Sequence, residues 1–332
     1  MGRPARGVIV NATDYHTAGE PFRIVTGGVD SLPGRTILDK RRYAAERLDR
    51  VRELLVHEPR GHADMYGCFV TDPEDEGGDL GVVFFHNAGY STACGHGTIA
   101  LATWALESGR VDATEPETKL AIDAPSGRLP VTVSVEGGRV RGVRFRNVPA
   151  FVAAEGLCVG EWRAAVAFGG AFYASVELPG GIVPAELPRL IEAGREIKRG
   201  LEAGRDWVHP LEPELRDIYG VIFWQEEGGA DEALVQRNVT VFADGEVDRS
   251  PCGSGTSARL ALLDRSGALA RGQTLRHLSI IGTEFKARVV GDADVAGGPA
   301  VVTEVAGSAH LTGYHQFVLE PGDELGTGFL LR

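Results

Sequence analysis

A five-residue pattern, C-G-x-G-T, occurs twice in this chain of 332 residues. The first copy spans residues 94–98 and the second spans residues 252–256. Alanine, serine and glycine residues downstream of each copy match at the same spacing, so the two regions align without a gap. Such a repeat indicates a duplicated structural unit, with one cysteine at the start of a helix in each half. We therefore predict a functional site between the two halves.

The segments around the two patterns predict helices enclosed by strands. Residues 99–107 and 257–265 are rich in apolar side chains, and each predicted helix ends near a glycine, Gly109 or Gly267. Alternating apolar residues across 118–147 predict antiparallel strands or hairpins. Because strands and helices do not alternate regularly, a Rossmann-type sheet is not expected. The predicted fold class is α+β, with two similar domains.

Other stretches give expectations about the layout of the chain. Residues 39–56 predict one amphipathic helix that faces solvent, and residues 163–176 predict strand structure. A length of 332 residues agrees with two domains. We assign residues 1–149 and 320–332 to the first domain, and residues 150–319 to the second.

Composition limits the classes of partner. The hydrophobic share of 43% and the charged share of 24% are those of an ordinary soluble globular protein. A net charge of −12 argues against general binding to nucleic acid or to an anionic membrane, so a small-molecule partner is expected. No apolar run has the length of a signal peptide core or a membrane span, and we expect a cytoplasmic protein.

The repeated cysteines point to proton transfer. Glycines after Cys94 and Cys252 leave backbone N–H groups open, and a helix start attracts an anion such as a carboxylate. The same field is expected to lower the pKa of each thiol. A carboxylate held between two such cysteines places its α-carbon between an acid and a base on opposite faces. This arrangement is that of a two-base racemase or epimerase.

Three alternatives remain open at this point. The cysteines could be inert buried thiols, because free cysteine often behaves as a small hydrophobic residue. Cys94 could be a nucleophile with His96 as its base, which leaves the second copy unexplained. A phosphate-binding nest would explain the glycines but not the matched cysteines. No C-x-x-C pair or close ligand cluster favours a metal site.

The chain resembles the proline racemase family, which includes 4-hydroxyproline epimerases and trans-3-hydroxyproline dehydratases. The resemblance covers nearly the whole chain and is most specific in the sequence D-R-S-P-C-G. It is carried by residues 16–21, 58–67, 87–98, 169–174 and 248–257. It implies the fold of diaminopimelate epimerase, in which two similar domains each wrap strands around a central helix. The two domains are then related by a pseudo-two-fold axis.

The same resemblance implies roles for individual residues. Cys94 and Cys252 would be the acid–base pair, with Asp248 near the substrate's ring nitrogen and Phe242 against the ring. The substrate carboxylate would be held by the amides of Gly95, His96, Gly253 and Ser254, and His96 would also lie near the ring nitrogen. From the residues alone, Asp248 could instead cap a turn, and Phe242 could be an ordinary core residue. The family implies no metal and no pyridoxal cofactor.

The identity of the second cysteine bears on the reaction. Dehydratases that resemble this chain usually carry threonine there, so Cys252 favours racemisation or epimerisation of proline or a hydroxyproline. A trans-3-hydroxy-L-proline dehydratase and a 4-hydroxyproline 2-epimerase remain as alternatives. Residues 58–67 and 169–174 look like those of proline racemases and 3-hydroxyproline dehydratases, and less like those of 4-hydroxyproline epimerases. A homodimer is left open by the sequence.

Overall fold

The structure is a computed structural model that describes residues 7–230 and 233–331. Across these residues, eighteen strands form one continuous hydrogen-bonded sheet. The strands of the first half are β1 (Val8–Thr17), β2 (Glu20–Gly27), β3 (Tyr66–Thr71), β4 (Leu80–His86), β5 (Gly89–Tyr90), β6 (Glu117–Ala124), β7 (Gly127–Glu136) and β8 (Arg139–Arg146). The remaining strands are β9 (Phe151–Val159), β10 (Trp162–Phe168), β11 (Phe172–Glu177), β12 (Ile218–Ala230), β13 (Ala233–Phe242), β14 (Glu246–Asp248), β15 (Thr274–Leu278), β16 (Glu284–Val295), β17 (Gly298–Gly307) and β18 (Ala309–Leu319).

Helices connect the parallel strands in the same order in both halves. They are α1 (Ile37–Arg47), α2 (Asp49–Val56), α3 (Gly95–Glu107), α4 (Leu187–Gly204) and α5 (Gly253–Ser266). In the first half, α1 and α2 join the parallel pair β2 and β3, and α3 joins β4 and β6. In the second half, α4 joins β11 and β12, and α5 joins β13 and β15. The structure therefore repeats, as the two cysteine patterns predict.

The helices α3 and α5 are the centres of the two halves. Nearly all of their residues are buried, because strands surround each helix and leave it no polar face. The predicted helices over 99–107 and 257–265 are confirmed, although each begins four residues earlier, directly after its cysteine. Gly267 ends α5 with a left-handed φ of 72°, which glycine adopts without strain.

The predicted single helix over 39–56 is wrong, because the chain breaks at Leu48 into α1 and α2. The expectation that it faces solvent also fails for Arg52, which is buried. Its guanidinium donates to the carbonyls of His86 and Asn87 at 2.9 and 2.6 Å. These contacts attach α2 to the turn that leads towards Cys94. The predicted strand region over 163–176 is likewise two strands, β10 and β11, which pair as a hairpin.

The two halves also share strands. β18, close to the C-terminus, pairs along its length with β1, and β17 pairs with β8. The division into residues 1–149 with 320–332 and residues 150–319 stays a prediction. The pairing of β18 with β1 favours placing residues 309–319 with the first unit. In the part of the chain that the structure describes, no helix combines the length and the apolarity needed to span a membrane.

Candidate active site

The starts of α3 and α5 touch each other at two glycines. A Cβ added to Gly95 would lie 2.4 Å from the Cα of Gly253, and one added to Gly253 would lie 2.6 Å from the Cα of Gly95. No other residue type fits at either position without moving backbone. The sequence suggested that these glycines free amides for a ligand. The structure adds a second reason, which is the close approach of two backbones.

The second glycine of each pattern makes room for the thiol. A Cβ on Gly97 would lie 2.7 Å from the Sγ of Cys94, and a Cβ on Gly255 would lie 2.9 Å from the Sγ of Cys252. The two halves therefore use the same local packing around each sulfur. This equivalence explains why both glycines recur in the pattern, whereas the residue between them differs.

The two cysteines differ in backbone conformation. Cys94 is extended, with a φ of −153°, and its sulfur accepts a hydrogen bond from the Gly97 N–H at 3.2 Å. Cys252 has a φ of 62°, in the left-handed region that residues other than glycine rarely adopt. Such strain costs about 1–3 kcal/mol and tends to occur at functional sites.

Both thiols have a raised pKa. Burial raises the pKa of Cys94 well above its usual range and raises the pKa of Cys252 to about 12. The carboxylate of Asp248 raises both pKa values further, while the amide of Gly97 lowers that of Cys94. The expected lowering of the thiol pKa is therefore wrong for this state. Removing a thiolate from water outweighs the favourable field of the helix start.

His96 lies beside Cys94 as a neutral ring. Each ring nitrogen is 3.5 Å from the Sγ of Cys94, so the sulfur is midway between them and not in line with one lone pair. Burial lowers the pKa of His96 to about 3. The rings of Phe22 and Tyr66 pack edge-on against it. This geometry does not favour His96 as the base of a cysteine nucleophile.

Asp248 is buried next to a second buried carboxyl group. One of its oxygens accepts from the Ser250 N–H at 2.7 Å, which is the turn-capping contact, and the other lies 4.0 Å from His96 Nδ1. Burial raises the pKa of Asp248 to about 6. Glu20 accepts from the Arg249 N–H at 2.7 Å through one oxygen, and its other oxygen has no partner among the described residues. Burial, and then the charge of Asp248, raise the pKa of Glu20 well above its usual range.

A group of aromatic side chains lies at the same site as the two cysteines. Phe242 is buried and stacks on Tyr219, with ring centroids 5.5 Å apart. The hydroxyl groups of Tyr66 and Tyr219 are 2.9 Å apart. Tyr173 has its hydroxyl 2.7 Å from the Ser254 Oγ and 3.8 Å from the Sγ of Cys252. These side chains therefore combine the apolar ring of Phe242 with the hydroxyl groups of three tyrosines.

One cavity brings together all the residues that the sequence singled out. It is lined by Cys94, Gly95, His96, Phe242, Asp248, Cys252, Gly253 and Ser254, and also by Tyr66, Ala93, Tyr173 and Tyr219. Its volume is about 10 Å³. A single water molecule needs roughly 10–15 Å³, so a proline-sized ligand can enter only when the walls move apart.

Three tyrosines of the cavity, Tyr66, Tyr173 and Tyr219, were not predicted from the sequence. Tyr66 and Tyr173 lie inside segments that carry the family resemblance, but Tyr219 does not. A second repeat could have found it, because Tyr66-Gly67 and Tyr219-Gly220 occupy corresponding places in β3 and β12. Among residues 7–230 and 233–331, no group of three His, Cys, Asp or Glu side chains is arranged to hold a metal ion.

Comparison with known proteins identifies the family. Residues 12–330 match the sequence model of the proline racemase family. A trans-3-hydroxy-L-proline dehydratase of Bacillus cereus is 44% identical over 97% of this chain and 98% of its own length. A 3-hydroxyproline 2-epimerase of Burkholderia multivorans is 45% identical with the same coverage.

A solved structure supports the same grouping. The crystal structure of a hydroxyproline epimerase from Agrobacterium vitis, with bound trans-4-hydroxy-L-proline, superposes with a TM-score of 0.90. It is 31% identical and the match covers 98% of this chain and 97% of that one. The expected fold, two epimerase-like units around central helices, is confirmed by this likeness. The chain therefore belongs to the proline racemase family.

Proposed function

We propose that this enzyme acts at the α-carbon of 3-hydroxyproline, with Cys94 and Cys252 as the acid–base pair. The observation that carries the proposal is that the two sulfurs border one buried cavity from the starts of two equivalent helices. The choice of 3-hydroxyproline is supported by the relatives, an epimerase and a dehydratase of that compound at 45% and 44% identity.

The helix starts would bind the substrate carboxylate. The first N–H groups of a helix have no partner within it, and four such groups border the cavity, on Gly95, His96, Gly253 and Ser254. Asp248 would face the ring nitrogen, which is positively charged in free hydroxyproline. That charge offsets the negative field of Asp248, which raises the pKa of both thiols. Substrate binding therefore favours the thiolate that the reaction requires.

Epimerisation then needs one thiolate and one thiol. The thiolate takes the α-proton from one face, and the electron pair of the C–H bond moves into the carboxylate to give an enediolate. The thiol on the other face delivers its proton to the α-carbon, which inverts the configuration and leaves the second sulfur as a thiolate. Backbone amides at the helix starts stabilise the developing charge. Positioned proton transfer of this kind contributes about 10²–10⁴-fold.

Dehydration of trans-3-hydroxy-L-proline is the second candidate, which the dehydratase relatives favour. The first step is the same removal of the α-proton by one cysteine. The electron pair then forms a double bond between the α- and β-carbons while the C3–O bond breaks. The leaving oxygen takes a proton from the second thiol and departs as water. The resulting enamine tautomerises to a ring imine.

Incubation in D₂O tests the proposal. L-proline, trans-3-hydroxy-L-proline and trans-4-hydroxy-L-proline are each followed by proton NMR, with the imine trapped by an aromatic aminoaldehyde. A deuterated C2 epimer of 3-hydroxyproline identifies an epimerase, and trapped imine identifies a dehydratase. If trans-3-hydroxy-L-proline neither exchanges its α-proton nor loses water, the proposed function is refuted, whatever happens to the other two compounds.

Cysteine variants test the acid–base pair. Cys94→Ser and Cys252→Ser are each expected to lower epimerisation by at least about 100-fold, because each removes one proton carrier. Cys158→Ser is the matched control, since that thiol is free and exposed and should leave the rate unchanged. A Cys252→Ser variant that epimerises at the full rate would show that the two-base mechanism is wrong.

A further inference from the structure

The hydroxyl groups of Tyr66 and Tyr219 meet between the two halves. Each tyrosine precedes a glycine near the start of the second strand of a parallel pair, β3 or β12. Gly67 pairs with Arg23 of β2, and Gly220 pairs with Tyr173 of β11. The two tyrosines are thus equivalent in the repeat, and their hydroxyl oxygens are 2.9 Å apart.

The pair is the end of a short chain of hydroxyl groups. Tyr66 bonds to the Oγ of Ser91 on one side and to Tyr219 on the other. Within residues 7–230 and 233–331, Tyr66 is the one hydrogen-bond partner of the Tyr219 hydroxyl. A hydroxyl can donate once and accept twice, so the Tyr219 hydroxyl keeps unused capacity. Both tyrosines line the cavity that contains the two cysteines.

An unused hydroxyl group fits plain proline poorly. Carbons 3 to 5 of a proline ring bear only hydrogen, and a polar group buried against them loses the hydrogen bonds that water would give it. Tyr173 does not present this problem, because its hydroxyl is bonded to Ser254 and lies beside the sulfur of Cys252. Burial raises the pKa of Tyr66 and of Tyr219, so both phenols remain neutral hydrogen-bonding groups.

We propose that Tyr219, held by Tyr66, recognises the ring hydroxyl of the substrate and makes the enzyme select a hydroxyproline over proline. This inference rests on the proposed function, and it assigns substrate selection to a pair of residues outside the acid–base machinery. When the substrate binds, its ring hydroxyl forms a hydrogen bond with the Tyr219 hydroxyl, which has capacity beyond its bond to Tyr66. A site built in this way discriminates strongly against an analogue that lacks the hydroxyl.

The test compares two substrates in the Tyr219→Phe variant. The specificity constant kcat/KM for α-proton exchange is measured in D₂O with trans-3-hydroxy-L-proline and with L-proline. The ratio of the two constants is expected to fall by about 10–100-fold, because only the hydroxylated substrate loses a hydrogen bond. Tyr66→Phe should lower the ratio less, since it removes only the group that orients Tyr219. Tyr15→Phe, which loses a bond of 2.7 Å to Glu107 outside the cavity, is the control and should leave the ratio unchanged.

One result would overturn the inference. In Tyr219→Phe, the ratio could stay within about twofold of the wild type, whether both activities are kept or both fall equally, as a purely structural role predicts. If exchange of L-proline is too slow to follow, the inhibition constant of L-proline against turnover of 3-hydroxyproline is measured instead. The Tyr219→Phe variant should bind L-proline no less tightly than the wild type does. A wild-type enzyme inactive on every hydroxyproline would refute the proposed function as well. An active wild type with an unchanged variant ratio would refute only the role of Tyr219.

Discussion

The contact between the two helix starts can be tested by adding one methyl group. In Gly95→Ala, the new Cβ would lie 2.4 Å from the Cα of Gly253 and 2.9 Å from its carbonyl carbon. Ordinary van der Waals contact begins near 3.4 Å, so the helix starts must separate by about 1 Å. The atoms it meets belong to backbone and cannot rotate away. Both helices are enclosed by strands, which resist that movement.

The expected cost has two parts. Overpacking in a filled core costs about 1–3 kcal/mol, and we expect the upper end, about 3 kcal/mol, because backbone must move. A misplacement of about 1 Å at the reacting groups costs about 100-fold in rate. Gly95→Ala should therefore lower both the free energy of unfolding and the rate of α-proton exchange. The reciprocal variant Gly253→Ala, with its closest contact at 2.6 Å, should behave in the same way.

Urea denaturation and deuterium exchange measure the two effects on the same preparation. Gly204→Ala is the matched control, because this helical glycine has no atom within 4 Å of its added Cβ. Its stability should stay the same or rise by up to about 1 kcal/mol, as for glycine to alanine in a helix. If Gly95→Ala lost less than about 0.5 kcal/mol and kept its exchange rate, the two helix starts would not be in the contact described.

Two further predictions concern buried polar groups. The pKa of Asp248 rises from 3.8 to about 6 on folding, so the folded state holds a proton that the unfolded state has released. The free energy of unfolding should therefore fall as pH rises from about 4 to about 6. Urea denaturation across this range should show a flatter slope for Asp248→Asn. An unchanged slope would contradict the raised pKa of Asp248. Arg52→Ala removes the guanidinium that donates to the carbonyls of His86 and Asn87 and should cost about 3 kcal/mol. Arg50→Ala, on the exposed side, should stay within about 0.5 kcal/mol. Equal losses in the two arginine variants, measured by thermal unfolding, would show that the buried contacts do not stabilise this turn.

The parts of the fold that local patterns encode were predictable. The two apolar helices and the hairpins over 118–147 have the periodicity and the glycine ends that these elements require. The break at Leu48 was not predictable, because the helical spacing of apolar residues continues across it. After the break, Arg52 of α2 donates to the carbonyls of His86 at the end of β4 and of Asn87 in the next turn, and these are long-range contacts.

The residues that share the site could be predicted from the sequence. Two copies of one pattern, together with Asp248 and Phe242, named eight residues that the structure brings to a single cavity. The two cysteine patterns could be predicted to share a site because a duplicated unit repeats its local geometry, so the same helix start recurs in each half. The family resemblance supplied the partners that lie outside the pattern.

The chemical behaviour of those groups depends on contacts that local patterns do not encode. The pKa of each thiol follows from burial and from the charge of Asp248, and the effect of Asp248 on Cys94 acts between the two halves. The contact of Gly95 with Gly253 and the bond between Tyr66 and Tyr219 also join the halves. Sequence periodicity indicates the surroundings of one helix or strand at a time. The two contacts between the halves join residues more than one hundred positions apart, and packing of this kind also removes the thiols from water.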